Sequence, residues 1–226
     1  MAQEIAFHKV FPIYKVEQDC ILSKQGDVTL AFEATLPEIF TLSDQEYEAF
    51  HQVLVKAIKV LPNNTVFHKQ DWFLSRKHQP EFEGKENSFL SRSSEQFFNE
   101  RPYLDHKCYI MLTRKPANRK PSNSVFSNLI RRSIVPDGPL NPQRMQEFLD
   151  GAGQFERILK DSGFVKLTRI TDDELVGNNR KPGLLERYCY LLSETDQPMI
   201  KDIHFKDDLK VGDLHCQLYS LSDVED

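Results

Sequence analysis

The sequence predicts an α+β fold, with helices packed on a mixed, largely antiparallel sheet. Three observations carry that expectation. Segments with strand and helix periodicity follow one another in irregular order, not in strict βαβ alternation. Cys20–Ser23 and Val28–Thr35 flank a Gly26-Asp27 turn, and Val28, Leu30 and Phe32 alternate as on a half-buried strand. Cys108 to Leu112 is an almost continuous apolar run, which suits a strand buried on both faces.

The elements follow in order. Residues 1–17 read as an extended lead-in, and the 20–35 hairpin ends at Pro37. Ser43-Asp44-Gln45-Glu46 is a capping box: the Ser43 hydroxyl accepts from a free amide and Glu46 reaches back. Tyr47, Phe50, Leu54, Ala57, Ile58 and Leu61 then recur at helical spacing, predicting one face buried against the sheet, with Pro62-Asn63-Asn64 as the stop. A strand over Val66–Leu74 has no purely apolar side, so partial exposure is expected. A helix is predicted from about Phe89 to Asn99, ended by Pro102, and a strand over Lys107–Thr113. Lys115–Asn123 reads as a loop, Val125–Ile134 as a short helix and Pro136–Pro142 as a break.

Asn141-Pro142 opens the clearest helix, with Asn as cap and Pro at the first helical position. Its stripe is Met145, Phe148, Leu149, Ala152, Phe155, Ile158 and Leu159, and Gly163 ends it. A strand is expected over Phe164–Ile170. Thr171-Asp172-Asp173-Glu174 is a second capping box. A helix over Leu184–Ser193 precedes a closing strand pair, Met199–Phe205 and Leu214–Leu221, joined around Lys210–Asp213. The whole reads as one domain, 1–226, with 171–226 as a possible sub-domain.

Composition narrows the function. A hydrophobic content of 39% permits a real core, and a net charge of -5 argues against a generic nucleic-acid binder. Sixteen Phe and seven Tyr supply an aromatic-rich core and material for a partner surface. Cys20, Cys108, Cys189 and Cys216 form no C-x-x-C and sit in apolar stretches, so free thiols in a cytoplasmic setting are expected. Met1–Val10 lacks a signal peptide's apolar core, and no stretch approaches the roughly 18 apolar residues of a membrane span.

Three sequence blocks stand out: His68-Lys69-Gln70-Asp71-Trp72-Phe73, Phe89-Leu90-Ser91-Arg92-Ser93, and Phe98-Asn99-Glu100-Arg101-Pro102-Tyr103-Leu104. With the closing run Gly212–Leu221, they resemble the amino-terminal region of the TraG family of conjugative-transposon proteins. Those are large ATPases of type IV secretion machines, related to the VirB-type secretion ATPases. The resemblance covers most of the chain and is weakest between Lys115 and Pro142. It implies a piece of a bacterial conjugation motor, cytoplasmic and peripheral to the inner membrane. Its implied partners are inner-membrane channel proteins and sister subunits, since the full-length motors form hexamers.

The nucleotide site of such ATPases is a P-loop, G-x-x-x-x-G-K-[ST], whose backbone amides hold phosphate and whose hydroxyl binds magnesium. Here the Gly84-Lys85 pair is followed by Glu86, and no Gly lies five residues earlier. The segment is therefore expected to be non-catalytic and without cofactor. ATP and Mg²⁺ are expected in a motor domain that the family carries beyond a point such as Asp226.

Other constellations are weaker. His68, Asp71, His78 and His106 lack the tight pair a zinc site uses, so no metal site is expected. The carboxylates show no spacing that sets a pair across a cleft, and no G-x-S-x-G elbow occurs. From His106 to Pro136 there is no Asp or Glu, while Arg119, Lys120, Arg131 and Arg132 lie beside apolar Phe126 and Ile130. That segment is a candidate contact for an anionic membrane surface or phosphate. Trp72 is a candidate interface residue. The expected function is docking and assembly within a DNA-transfer ATPase. The alternative is a nucleic-acid-binding domain that handles the transferred strand, with DNA the less favoured partner.

Overall fold

The computed structural model describes residues 6–77, 89–99, 101–116, 142–205 and 208–220. In chain order its elements are α1 (Phe7–Val10), β1 (Ile13–Glu17), β2 (Cys20–Ser23), β3 (Val28–Thr35), a 3₁₀ turn (Ile39–Thr41), α2 (Asp44–Lys59), β4 (Thr65–Lys77), α3 (Phe89–Asn99) and β5 (Pro102–Arg114). After these come α4 (Pro142–Asp161), β6 (Lys166–Arg169), α5 (Asp172–Val176), α6 (Leu184–Tyr190), β7 (Ile203–Phe205), β8 (Leu209–Val211) and β9 (Leu214–Cys216). The fold is α+β, and each strand register described in it is antiparallel. The chain divides into two compact units, residues 22–170 and residues 1–21 with 171–226.

The larger unit is organised around β3. Its hairpin turn forms because the Ser23 hydroxyl accepts from the amides of Gln25 and Asp27, and Gly26 takes φ +83° there. β5 lies along one edge of β3, from Val28 opposite Arg114 to Ala34 opposite Cys108. β6 pairs with the far end of β3, Phe32 opposite Arg169. β4 adds beyond β5 in an unbroken register from Thr65 opposite Arg114 to Lys77 opposite Pro102.

Directly opposed residues share a face, so Leu30, Phe32 and Ala34 align with Leu112, Ile110 and Cys108, and then with Phe67. This face carries the core. Phe155 of α4 is fully buried on it, its ring 6.5 Å from Phe32 and 6.0 Å from Phe67. The predicted stripe of α4 is the observed one: Phe148, Ala152, Phe155 and Leu159 are buried, with Met145, Leu149 and Ile158 half-buried. Gly163, at φ +74°, follows the helix as expected.

The apolar face expected for α2 needs correction. The capping box at Ser43 is present, with Glu46 Oε2 accepting from the Ser43 amide at 2.8 Å. Yet Tyr47 is 54% exposed and Ile58 39%, and Ala57 is the buried residue of the helix. The reason is that α2 packs against α4 instead of lying flat on the sheet. Phe50 meets Phe164, and Gly151 of α4 leaves room for Pro62. Only a narrow strip of α2 is covered.

In the smaller unit the predicted lead-in is structured. It holds α1 and β1, and the turn into β2 places Gln18 and Asp19 at φ 55° and 57°, the pairing of a type I′ hairpin. That turn is locked to α5, which packs against β1. The Asp19 amide donates to Asp172 Oδ1 at 2.7 Å, and the Asp172 amide donates to Asp19 Oδ1 at 2.9 Å. The Thr171 capping box is present. Between α5 and α6 the chain crosses itself at Gly177 and Gly183, bridging Gly177 to Pro182. α6 ends earlier than predicted, because Leu191 turns left-handed at φ 52°.

The closing strand pair also differs from expectation. It is a three-stranded meander in which β8 is central, so Lys210 and Val211 lie in a strand and the turn falls at Gly212-Asp213. Buried Val211 gives that strand its anchor.

Candidate docking surface

β5 outruns β3. Residues 108–114 pair with both neighbours, whereas Pro102–Lys107 pair with β4 alone among the described strands. The distal halves of β4 and β5 thus form a two-stranded arm, part of thirteen-residue strands about 43 Å long at 3.3 Å per residue. α3 lies in the connection between the distal strand ends. The arm displays large apolar side chains: Leu104 is 68% exposed, Phe73 is 62% exposed and Tyr103 is half exposed. On α3, Phe89 is 83% exposed, with Leu90 similarly bare. A two-stranded ribbon buries too little on its own two faces to hide such side chains. Phe73 and Leu104 share one face of the arm and Tyr103 lies on the other; exposed apolar patches mark interaction surfaces more often than single exposed side chains do.

A polar cluster lies where the arm meets the sheet. Asp71 faces Cys108 and Phe73 faces His106 across the β4–β5 ladder. His106 Nε2 is 2.8 Å from Asp71 Oδ1, Lys69 also bonds the Asp71 carboxylate, and Phe73 stacks on the His106 ring at 4.7 Å. Burial alone pushes the Asp71 carboxyl up. Hydrogen bonds from Lys69 and His106, with the Lys69 charge, outweigh it and hold the group below its ordinary value. The cluster's contribution to stability is therefore complete above the ordinary carboxylate range and is lost as pH falls through the lowered value.

Burial pushes the Cys108 thiol up to about 11, with Asp71 adding to the rise and Lys69 opposing it. Cys108 in this setting is a buried packing thiol and not a nucleophile. At pH 8 its thiolate fraction is about 100-fold below that of an ordinary thiol. Iodoacetamide on the native protein should accordingly label half-exposed Cys216 well before buried Cys108, read by peptide mapping over time. Equal rates would mean that the cluster opens to solvent.

A model of a domain family of unknown function, described as "B. Theta Gene description (DUF3875)", matches residues 1–52. The comparison with curated proteins gives no match.

Of the residues singled out in the sequence, Trp72 is half-buried at the arm's base, edge-on to buried Tyr109 with ring centroids 5.1 Å apart. Its ring contributes to packing on the sheet face opposite α4. The basic segment, with Arg119, Lys120, Phe126, Ile130, Arg131 and Arg132, lies outside the described residues, as does His78. Asp71 and His106 come together, but His68 points to the other sheet face. Among the described residues no group of three or more His, Cys, Asp or Glu is placed to hold a metal ion. No described helix is long and apolar enough to cross a membrane.

Sequence reasoning missed the arm. Pro102, expected to end the Phe89–Asn99 helix, also begins β5. The available signal was the length of the β4 pattern: a strand reaching Lys77 needs a partner reaching back beyond Lys107.

Proposed function

We propose that this chain is a non-catalytic docking and assembly domain of a conjugative DNA-transfer ATPase of the type IV secretion kind. In this reading it anchors the motor, from the cytoplasmic side of the inner membrane, to channel components and to neighbouring subunits. ATP and Mg²⁺ act in a separate motor domain. The observation that carries the docking role is the arm, with Phe73, Tyr103 and Leu104 exposed beyond the sheet and Phe89 and Leu90 exposed on α3. Exposed aromatic side chains such as Phe73, Tyr103 and Phe89 are of the kind that interface cores enrich. The choice of machine rests on the sequence blocks resembling the TraG family, which fall on β4, α3 and the start of β5.

The test is co-expression with the inner-membrane channel proteins of a conjugation apparatus, followed by detergent extraction and co-purification. The expected result is capture of one identified channel component. The Phe89→Asp/Leu104→Asp double variant should lose it at an unchanged melting temperature. Equal capture by both forms, or none by either, overturns the arm as the docking element. Steep salt-dependent binding of single-stranded DNA would favour the nucleic-acid alternative instead.

A further inference from the structure

The outer edge of β4 is open: no described strand pairs it on the side away from β5. Natural edge strands are protected by short length, proline, a bulge, charged side chains or a covering helix or loop. β4 carries charges, Lys69 and Asp71 among them, but none of the first three. It runs thirteen residues without proline, and its register with β5 is unbroken. Such an edge presents a ladder of backbone donors and acceptors ready for another strand.

The sequence of β4 specifies which strand fits. Two copies related by a two-fold axis normal to the sheet must pair antiparallel about a residue that faces itself. With Gln70 on the axis, Lys69 of each copy lies opposite Asp71 of the other. Phe67 then meets Phe73, His68 meets Trp72, Val66 meets Leu74 and Thr65 meets Ser75. Every opposed pair is opposite in charge or alike in character, the combinations that stabilise cross-strand neighbours. Moving the axis one residue either way sets Lys69 against Lys69 or Asp71 against Asp71, which like-charge repulsion disfavours. Lys69 and Asp71 remain partly exposed, at 40% and 28%. The Asp71 carboxylate is acceptor-only with about four lone-pair sites, so it can add a second lysine to its present partners.

We infer that β4 is a homodimerisation strand, pairing edge to edge with β4 of a second copy about Gln70. This deepens the docking reading by naming one neighbouring subunit and the register of its contact. A monomeric chain would leave docking through the arm untouched, so the two fail separately.

The experiment uses the purified chain and two variants, Lys69→Asp and Asp71→Lys, with native mass spectrometry and sedimentation equilibrium. Wild type should be dimeric. Each variant alone opposes four like charges at the axis, and its dimer dissociation constant should rise roughly tenfold. An equimolar mixture of the two restores both opposite-charge pairs between chains, although neither chain regains its internal Lys69–Asp71 pair. Heterodimer should then exceed the statistical one-half. A monomeric wild type at about 100 μM, or a mixture showing no heterodimer excess, overturns the inference. Melting curves of the single variants identify any that fail to fold, and the swap within one chain, Lys69→Asp/Asp71→Lys, then takes their place and should dimerise as wild type does.

Discussion

Replacing Gly183 with Ala should unfold the smaller unit while leaving the larger one intact. A Cβ built on Gly183 would lie 2.2 Å from the carbonyl carbon of Val176 and 2.4 Å from the oxygen of Leu175. These are backbone atoms, not flexible side-chain ends, so the collision cannot relax cheaply. Overpacking usually costs about 1–3 kcal/mol, and a backbone clash belongs at or above the top of that range. Gly177 faces the same crossing: a Cβ built on it would lie 2.2 Å from the Gly183 nitrogen, and its backbone has φ 79° and ψ -169°. That conformation is essentially confined to glycine and adds about 1–3 kcal/mol of strain for any other residue. Gly177→Ala is thus expected to lose roughly 4–6 kcal/mol in all.

Trp72 is the single tryptophan and lies in the larger unit, so its fluorescence in urea follows that unit alone. Hydrogen exchange at the amides of α5 and α6 follows the other. Gly153→Ala is the internal control. Nothing lies within 4 Å of its added Cβ, in mid-helix, and it should stabilise α4 by about 1 kcal/mol. Unchanged exchange in Gly183→Ala would mean that the two glycine segments do not touch in solution.

Phe155→Ala should be the most damaging change in the larger unit. Its ring is fully buried and bridges α4 to both Phe32 of β3 and Phe67 of β4. Buried Phe→Ala changes cost about 3–5 kcal/mol, through lost transfer energy and the cavity left behind. Urea melts followed by Trp72 fluorescence measure it directly. A loss below about 1 kcal/mol would mean that α4 is not what closes the core.

The helices with a complete local code were readable from the residues alone. α4 carries its whole buried stripe in its own periodicity, and the Ser43 and Thr171 capping boxes each announce a helix start within four residues. Strand extent was harder, because it depends on a distant partner. Nothing local to Tyr103-Leu104-Asp105 says that β4 continues to Lys77. The exposure of Tyr47 and Ile58 was hidden for a similar reason: periodicity shows that a helix has an apolar face, while the width of the covering element decides how much of it is buried. The candidate docking surface is a tertiary product of this kind. Phe73 and Leu104 look like core residues until it is seen that β3 stops short of them.

The lock between Asp19 and Asp172 carries a consequence for synthesis. Residues 1–21 leave the ribosome before residues 22–170, yet the segment that completes their unit begins at Thr171. At about 5–20 residues per second, the intervening chain takes roughly 7–30 s to make. By the end of that time the larger unit has its full complement of residues and can fold, while α5, the partner of the Gln18-Asp19 turn, has still to be made. The order of assembly is thereby imposed by translation: residues 22–170 first, the unit of 1–21 with 171–226 last. A released chain ending at residue 170 should hold a protease-resistant centre, with the 1–21 segment readily cleaved.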